Sequence, residues 1–206
     1  MFITLEGTEG SGKSVQARLL VARLRAAGHV VVETHEPGGT PLGQRVREIV
    51  LGRDELDISA TAEALLMNAS RAQLVEKVIR PALERDDVVV CDRFADSTLA
   101  YQGAGRGLGL DSLGTVISFA TAGLRPDMTL LLDVPVEVGL TRKRAQDQGN
   151  RFEAETLAFH TRVQSAYRAL AAAEPSRWRC FDGTTPVDQV AEEIWGAVAA
   201  RLGREA

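Results

Sequence analysis

Gly7-Thr8-Glu9-Gly10-Ser11-Gly12-Lys13-Ser14 has the form Gly-x-x-x-x-Gly-Lys-Ser. Ahead of it, Phe2-Ile3-Thr4-Leu5 reads as a short apolar strand. Behind it, Val15, Leu19, Leu20 and Leu24 recur at helical spacing. Strand, glycine-rich loop and helix start form the context in which this pattern holds phosphate. The glycines let the backbone curl so that successive N–H groups face one anion, and the following helix adds its positive end. Lys13 is placed to reach the outer phosphates and Ser14 to hold a magnesium ion. Residues 7–14, from Gly7 to Ser14, are therefore assigned to a nucleoside-triphosphate site. A chance glycine-rich turn is the competing reading, and it does not account for the flanking strand and helix.

Outward from the loop, strands and helices alternate. Strands are predicted at 29–33, 88–91, 128–132 and 178–181, in addition to the first. Helices are predicted from Lys13 to about Ala27, around Val46 to Leu51, at 59–83, 111–122, from Pro135 into Arg142-Lys143-Arg144, at 153–173, and from Pro186 onward. Leu65, Leu66, Ala69, Ala72, Val75, Val78 and Ile79 give the 59–83 segment an apolar side, and Pro81 marks a kink or break in it. Gln102 to Gly107 reads as a polar, glycine-rich loop. The pattern is that of an α/β protein with a five-stranded parallel sheet covered on both faces, in one domain over residues 1–206. Ligands in such sheets lie beyond the carboxyl ends of the strands. Glu9, Asp92-Arg93, Asp133 and Asp182 collect there.

Composition narrows the function classes. The chain has 206 residues and a formal charge of −4, which disfavours nucleic acid as a general partner. No apolar run approaches the ~20 residues of a membrane span, and the chain opens directly on a strand, so a cytoplasmic location is expected. Cys91 and Cys180 read as small buried hydrophobes of a reducing compartment. His29, His35 and His160 have no metal-ligand spacing and read as structural or surface residues.

Several further stretches carry a resemblance: Glu36-Pro37-Gly38-Gly39-Thr40, Ser70-Arg71-Ala72-Gln73-Leu74, Asp92-Arg93-Phe94, Ser97-Thr98-x-Ala100-Tyr101-Gln102-Gly103, Arg125-Pro126-Asp127 and the arginine-rich segment 142–151. With the phosphate loop, they resemble the bacterial thymidylate kinases in order and spacing over nearly the whole chain. The resemblance implies the fold of P-loop NTP hydrolases and nucleoside-monophosphate kinases. It implies transfer of a phosphoryl group from magnesium-ATP to dTMP, giving dTDP for dTTP synthesis. The acceptor phosphate, with a second pKa near ~6, is already a dianionic nucleophile. No histidine base is needed, and catalysis rests on positioning and charge neutralisation.

By the same resemblance, Arg93 holds the acceptor phosphate and bridges to the donor, Asp92 serves magnesium beside Ser14, and Glu9 lies near the acceptor sugar. Glu36, Pro37 and Arg47 form the phosphate-side wall, with Pro37 a candidate for a cis peptide and Arg45 and Arg53 looking no different from Arg47. Arg71 reads thymine, Thr98 and Gln102 contact base and sugar, and Tyr101 packs under C2′ and excludes a 2′-hydroxyl. Asp182 belongs near adenine. Segment 142–153 resembles a lid; with Gly10 where other members carry an arginine, the catalytic arginine is expected from the lid, with Arg142, Arg144 and Arg151 as candidates. Two departures stand out. Met67 occupies the place of a stacking phenylalanine, which loosens thymine selection, and Gln146 follows where a third alternate arginine is usual. The resemblance further implies a homodimer, for which the helices at 59–83 and 111–122 offer apolar faces. A related monophosphate kinase with looser base selection is the first rival. A regulatory GTPase lacks its Asn-Lys-x-Asp string here, and a nucleic-acid motor lacks a basic face.

Overall fold

The computed structural model describes residues 1–52, 56–145 and 151–203. Arg53 and Gln146 lie outside them. The strands are β1 (Phe2–Glu6), β2 (Val31–His35), β3 (Val88–Asp92), β4 (Met128–Asp133) and β5 (Trp178–Asp182). All pair in parallel, in the order β2-β3-β1-β4-β5. The three central strands are near-continuous apolar runs buried on both faces, while edge strands β2 and β5 show only part of their residues to the core, as a doubly covered parallel sheet requires. Cys91, in β3, is buried as expected. Cys180 is exposed because it lies on the edge strand.

The helices are α1 (Lys13–Ala26), α2 (Pro41–Leu51), α3 (Ala60–Leu74), α4 (Arg80–Leu83), α5 (Ala95–Thr98), α6 (Leu110–Thr121), α7 (Val136–Arg144), α8 (Leu157–Ala173) and α9 (Val187–Leu202). α1 and α9 pack on one face of the sheet, against Ile3, Leu5, Val88, Val90 and Leu130. On the other face α3, α4 and α8 cover Phe2, Val89, Cys91 and Leu131. α8 begins later than the predicted Glu153, because Thr156 caps it by accepting from the Phe159 N–H.

Four helical details depart from the sequence reading, each for a local reason. α1 buries Lys13, Gln16, Ala17, Leu20, Val21 and Leu24, leaving Val15 exposed; the loop turns Lys13 inward and so sets the helix phase. α3 buries Glu63, Asn68, Ser70 and Arg71, while Leu65 and Ala69 face solvent. This helix walls a polar cleft, so its inner face carries polar groups. At Pro81 the chain does not break. A π-helical turn, Val75–Ile79, precedes it, with the Arg80 N–H reaching back to the Val75 carbonyl. The widened turn relieves the crowding and missing N–H that proline brings. The predicted 102–107 loop is helical through Gly105, as a second π segment, Leu99–Gly105, continuing α5. A Cβ at Gly105 would lie 2.6 Å from the Phe159 ring. That glycine serves close approach to α8 rather than loop flexibility.

Candidate active site

The carboxyl ends of β1, β2 and β3 open into a cleft of about 700 Å³. Its donor end is the phosphate loop. Gly10 and Gly12 take positive φ of 67° and 96°, a region that favours glycine. A Cβ at Gly10 would meet the Gly139 carbonyl of α7 at 1.9 Å, and one at Gly139 would lie 2.3 Å from the Glu9 carbonyl. α7 thus sits directly on the loop. Lys13 folds over the loop, donating to the Thr8 carbonyl at 2.7 Å and to Ser11 Oγ at 3.1 Å. Burial, helped by the charge of Arg93, lowers its ammonium to about 8 against the pull of nearby carboxylates. Ser14 Oγ donates to Asp92 Oδ2 at 2.5 Å. This oxygen pair suits magnesium, which takes a few protein oxygens and keeps water for the rest.

Arg93 stands in the middle. Its φ is 70°, and its guanidinium donates to the Gly7 carbonyl, Ser97 Oγ and Tyr167 Oη through Nη1, and to Glu9 Oε1 and Tyr101 Oη through Nη2. Below it lies Glu6, fully buried, accepting from the Phe94 N–H, Ser97 and Tyr167. Burial, reinforced by Asp96, raises the Glu6 carboxyl to about 7 despite Arg93 and these hydrogen bonds. Glu9 goes the other way. Burial pushes it up, but His160, Arg93, Lys13 and the Tyr101 hydroxyl together bring it down to about 2.

The acceptor end is walled by α2, α3 and the segment after β3. The Glu36–Pro37 peptide is cis, and Arg47 Nη1 donates to the Pro37 carbonyl at 3.0 Å. Arg47 turns into the cleft, whereas Arg45 pairs with Glu48 on the surface. Arg71 is 2% exposed. It donates to Glu36 Oε2 through Nε, to Asn68 Oδ1 through Nη1 and to the Phe94 carbonyl through Nη2, which leaves a hydrogen of Nη1 for a ligand. Met67, Thr98, Tyr101 and Gln102 line the same end. Gln102 also donates to Glu63 at 2.8 Å.

The lid candidates separate. Arg142 Nη1 donates to the Gly183 carbonyl at 2.7 Å, and Gly183 packs against Ser11 and Val134. Asp182 turns its carboxylate onto Thr184, beside the loop but not on the cleft lining. Arg144 is exposed. Arg151 pairs with fully buried Glu63 and donates to the Val50 carbonyl. From segment 142–153, Lys143, Phe152 and Glu153 line the cleft. Sequence reasoning missed Glu6, Glu63, Tyr167 and His160. The last two share the buried face of α8 with Val163, at three- and four-residue steps. A polar residue in that periodic position was the available signal.

A five-stranded parallel sheet, a phosphate loop on its first strand, and one cleft running from that loop to an arginine-lined wall define a P-loop protein of the nucleoside-monophosphate kinase fold. A thymidylate kinase family model matches residues 5–194, and the chain belongs to that family. It is 54% identical to the thymidylate kinase of Deinococcus radiodurans over 201 residues, covering 98% of this chain and 97% of that protein. With the Thermomicrobium roseum thymidylate kinase it shares 52% identity, over 98% and 96%. The crystal structure of thymidylate kinase from Ehrlichia chaffeensis superposes with a TM-score of 0.78 at 31% identity, covering 96% of this chain and 98% of that one.

Proposed function

We propose that residues 1–206 act as one kinase domain that transfers the γ-phosphoryl group of ATP to dTMP, yielding dTDP and ADP. The observation that carries this reading is the two-ended cleft, with Lys13 and the Ser14–Asp92 pair at one end, Arg71, Thr98 and Tyr101 at the other, and Arg93 between. An oxygen of the acceptor phosphate attacks Pγ while the bond from Pγ to the bridging oxygen of ADP breaks. Two polyanions must meet, so arginines and Lys13 neutralise the charge spread over the transferring group. Magnesium, held through Ser14 and Asp92, would neutralise donor phosphates. Arg93 exchanges its present carbonyl and hydroxyl partners for acceptor phosphate. Arg71 offers its remaining N–H to the thymine edge, and Tyr101 excludes a 2′-hydroxyl. The lid supplies the catalytic arginine, and Arg144, exposed at the C-terminal end of α7, is the candidate least engaged by other side chains among the described residues. We further propose a cytoplasmic homodimer.

Met67 on the cleft wall favours one second reading, a kinase that tolerates other pyrimidines. A panel of dTMP, dUMP, ribo-TMP, CMP, AMP and GMP, assayed for ADP release with magnesium-ATP, separates the two. A large preference for dTMP supports the main reading, comparable turnover of dUMP supports the second, and no turnover with any monophosphate overturns both.

A further inference from the structure

His160 is 1% exposed, and neither of its ring nitrogens has a hydrogen-bond partner among the described residues. The same holds for Glu9 Oε2. The two orphans face each other, with His160 Nδ1 3.4 Å from Glu9 Oε2. The other carboxylate oxygen, Oε1, is engaged by Tyr101 Oη at 2.6 Å and Arg93 Nη2 at 3.3 Å, on the side where both residues line the cleft. The carboxylate therefore has one edge toward the cleft and one edge toward α8, where His160 Nδ1 faces it. An unmet buried carboxylate oxygen turns toward another donor or takes a proton. Either change would spoil Glu9 as a hydrogen-bond acceptor.

We propose that His160 is a positioning residue that donates from Nδ1 to Glu9 Oε2 and holds the carboxylate ready to accept from the 3′-hydroxyl of the acceptor nucleotide. The 3′-hydroxyl is the one hydroxyl a 2′-deoxynucleoside 5′-phosphate has left on its sugar, and a carboxylate is an acceptor only. The inference rests on the reading of Glu9 as the sugar-facing acid.

The test compares kcat/KM for dTMP with that for its 3′-deoxy analogue in the wild type, Glu9→Gln, His160→Phe, His160→Gln and His160→Asn. The wild type is expected to favour the hydroxyl. Phe and Gln, which remove the donor at the δ position, should cut that preference by about tenfold with the KM for ATP unchanged. Asn places an amide nitrogen near the lost Nδ1 and should keep it. A role in packing alone would lower both substrates together. If Phe and Gln keep the wild-type ratio while Glu9→Gln collapses it, the proposal is overturned. If Glu9→Gln leaves the ratio in place, the sugar-facing reading of Glu9 fails and takes the proposal with it. Should the Phe variant not fold, the Gln variant decides alone.

Discussion

Arg93 is the residue on which donor and acceptor ends converge, and the chain holds it at a φ of 70° through partners from the phosphate loop, α8 and the segment after β3. A point charge cannot replace that fork. Arg93→Lys is expected to lower kcat/KM at least 100-fold while the protein still folds, because the planar bidentate geometry is lost and the charge is kept; steady-state kinetics with both substrates checks this. Beneath it, Glu6 gives the site a pH signature. Its carboxyl titrates near 7 when folded and near 4.5 when unfolded. Between those values the folded state binds more protons, so stability falls as pH rises through 7. Glu6→Gln removes a buried charge that develops only at the alkaline side. The variant should therefore gain about 2–3 kcal/mol relative to the wild type on going from pH 5 to pH 8.5. Thermal melts of both proteins across that range measure it, and a pH-independent difference would show that Glu6 stays ionised throughout.

Elements, rather than single residues, join the phosphate loop to segment 142–153. α7 lies on the loop through Gly10 and Gly139, whose facing backbones leave no room for a Cβ. Gly139→Ala must push the two apart, at a cost of about 1–3 kcal/mol for overpacking, and is expected to raise the KM for ATP more than that for dTMP. Equal effects on both would place the disturbance outside the loop. Farther along the same helix, Arg144→Ala should lower kcat far more than dTMP affinity; a pure loss of dTMP binding would put that arginine on the wrong substrate. These elements also show where the sequence could be read and where it could not. The loop, the buried strands and the strand-end acids were legible because each is a local pattern with one physical use. The π segments were not, since Pro81 and Gly105 look like breakers until Val75 or Phe159 is in place to accommodate them. Nor was the polar inner face of α3, because Glu63 takes its partners from Gln102, Arg106 and Arg151 and Arg71 takes Glu36 and the Phe94 carbonyl, which no window of sequence contains.

At the scale of the whole molecule, the inversion of α3 has an outward consequence. Polar residues turned toward the cleft leave apolar ones outside: Leu65 on α3, and Leu110 and Phe119 on neighbouring α6, with Phe119 89% exposed. A second copy meeting this surface about a two-fold axis would bury each of these side chains twice. A phenylalanine contributes about 1.5–3 kcal/mol when fully buried, so Phe119→Asp, counted in both protomers, should weaken self-association by roughly 10²–10⁴-fold. Sedimentation velocity over a dilution series reads this directly: the wild type should run as a dimer at micromolar concentration and the variant as a monomer. A monomeric wild type removes the homodimer and leaves Phe119 without a role. Turnover on dissociation carries further information about what holds the Arg71 wall of the cleft. An active monomer means that α3 holds Arg71 by itself through Glu36, Asn68 and Phe94. A monomer with a raised KM for dTMP and an unchanged KM for ATP means that the partner's pressure on the outer face of α3 keeps Arg71 and its wall of the cleft in place.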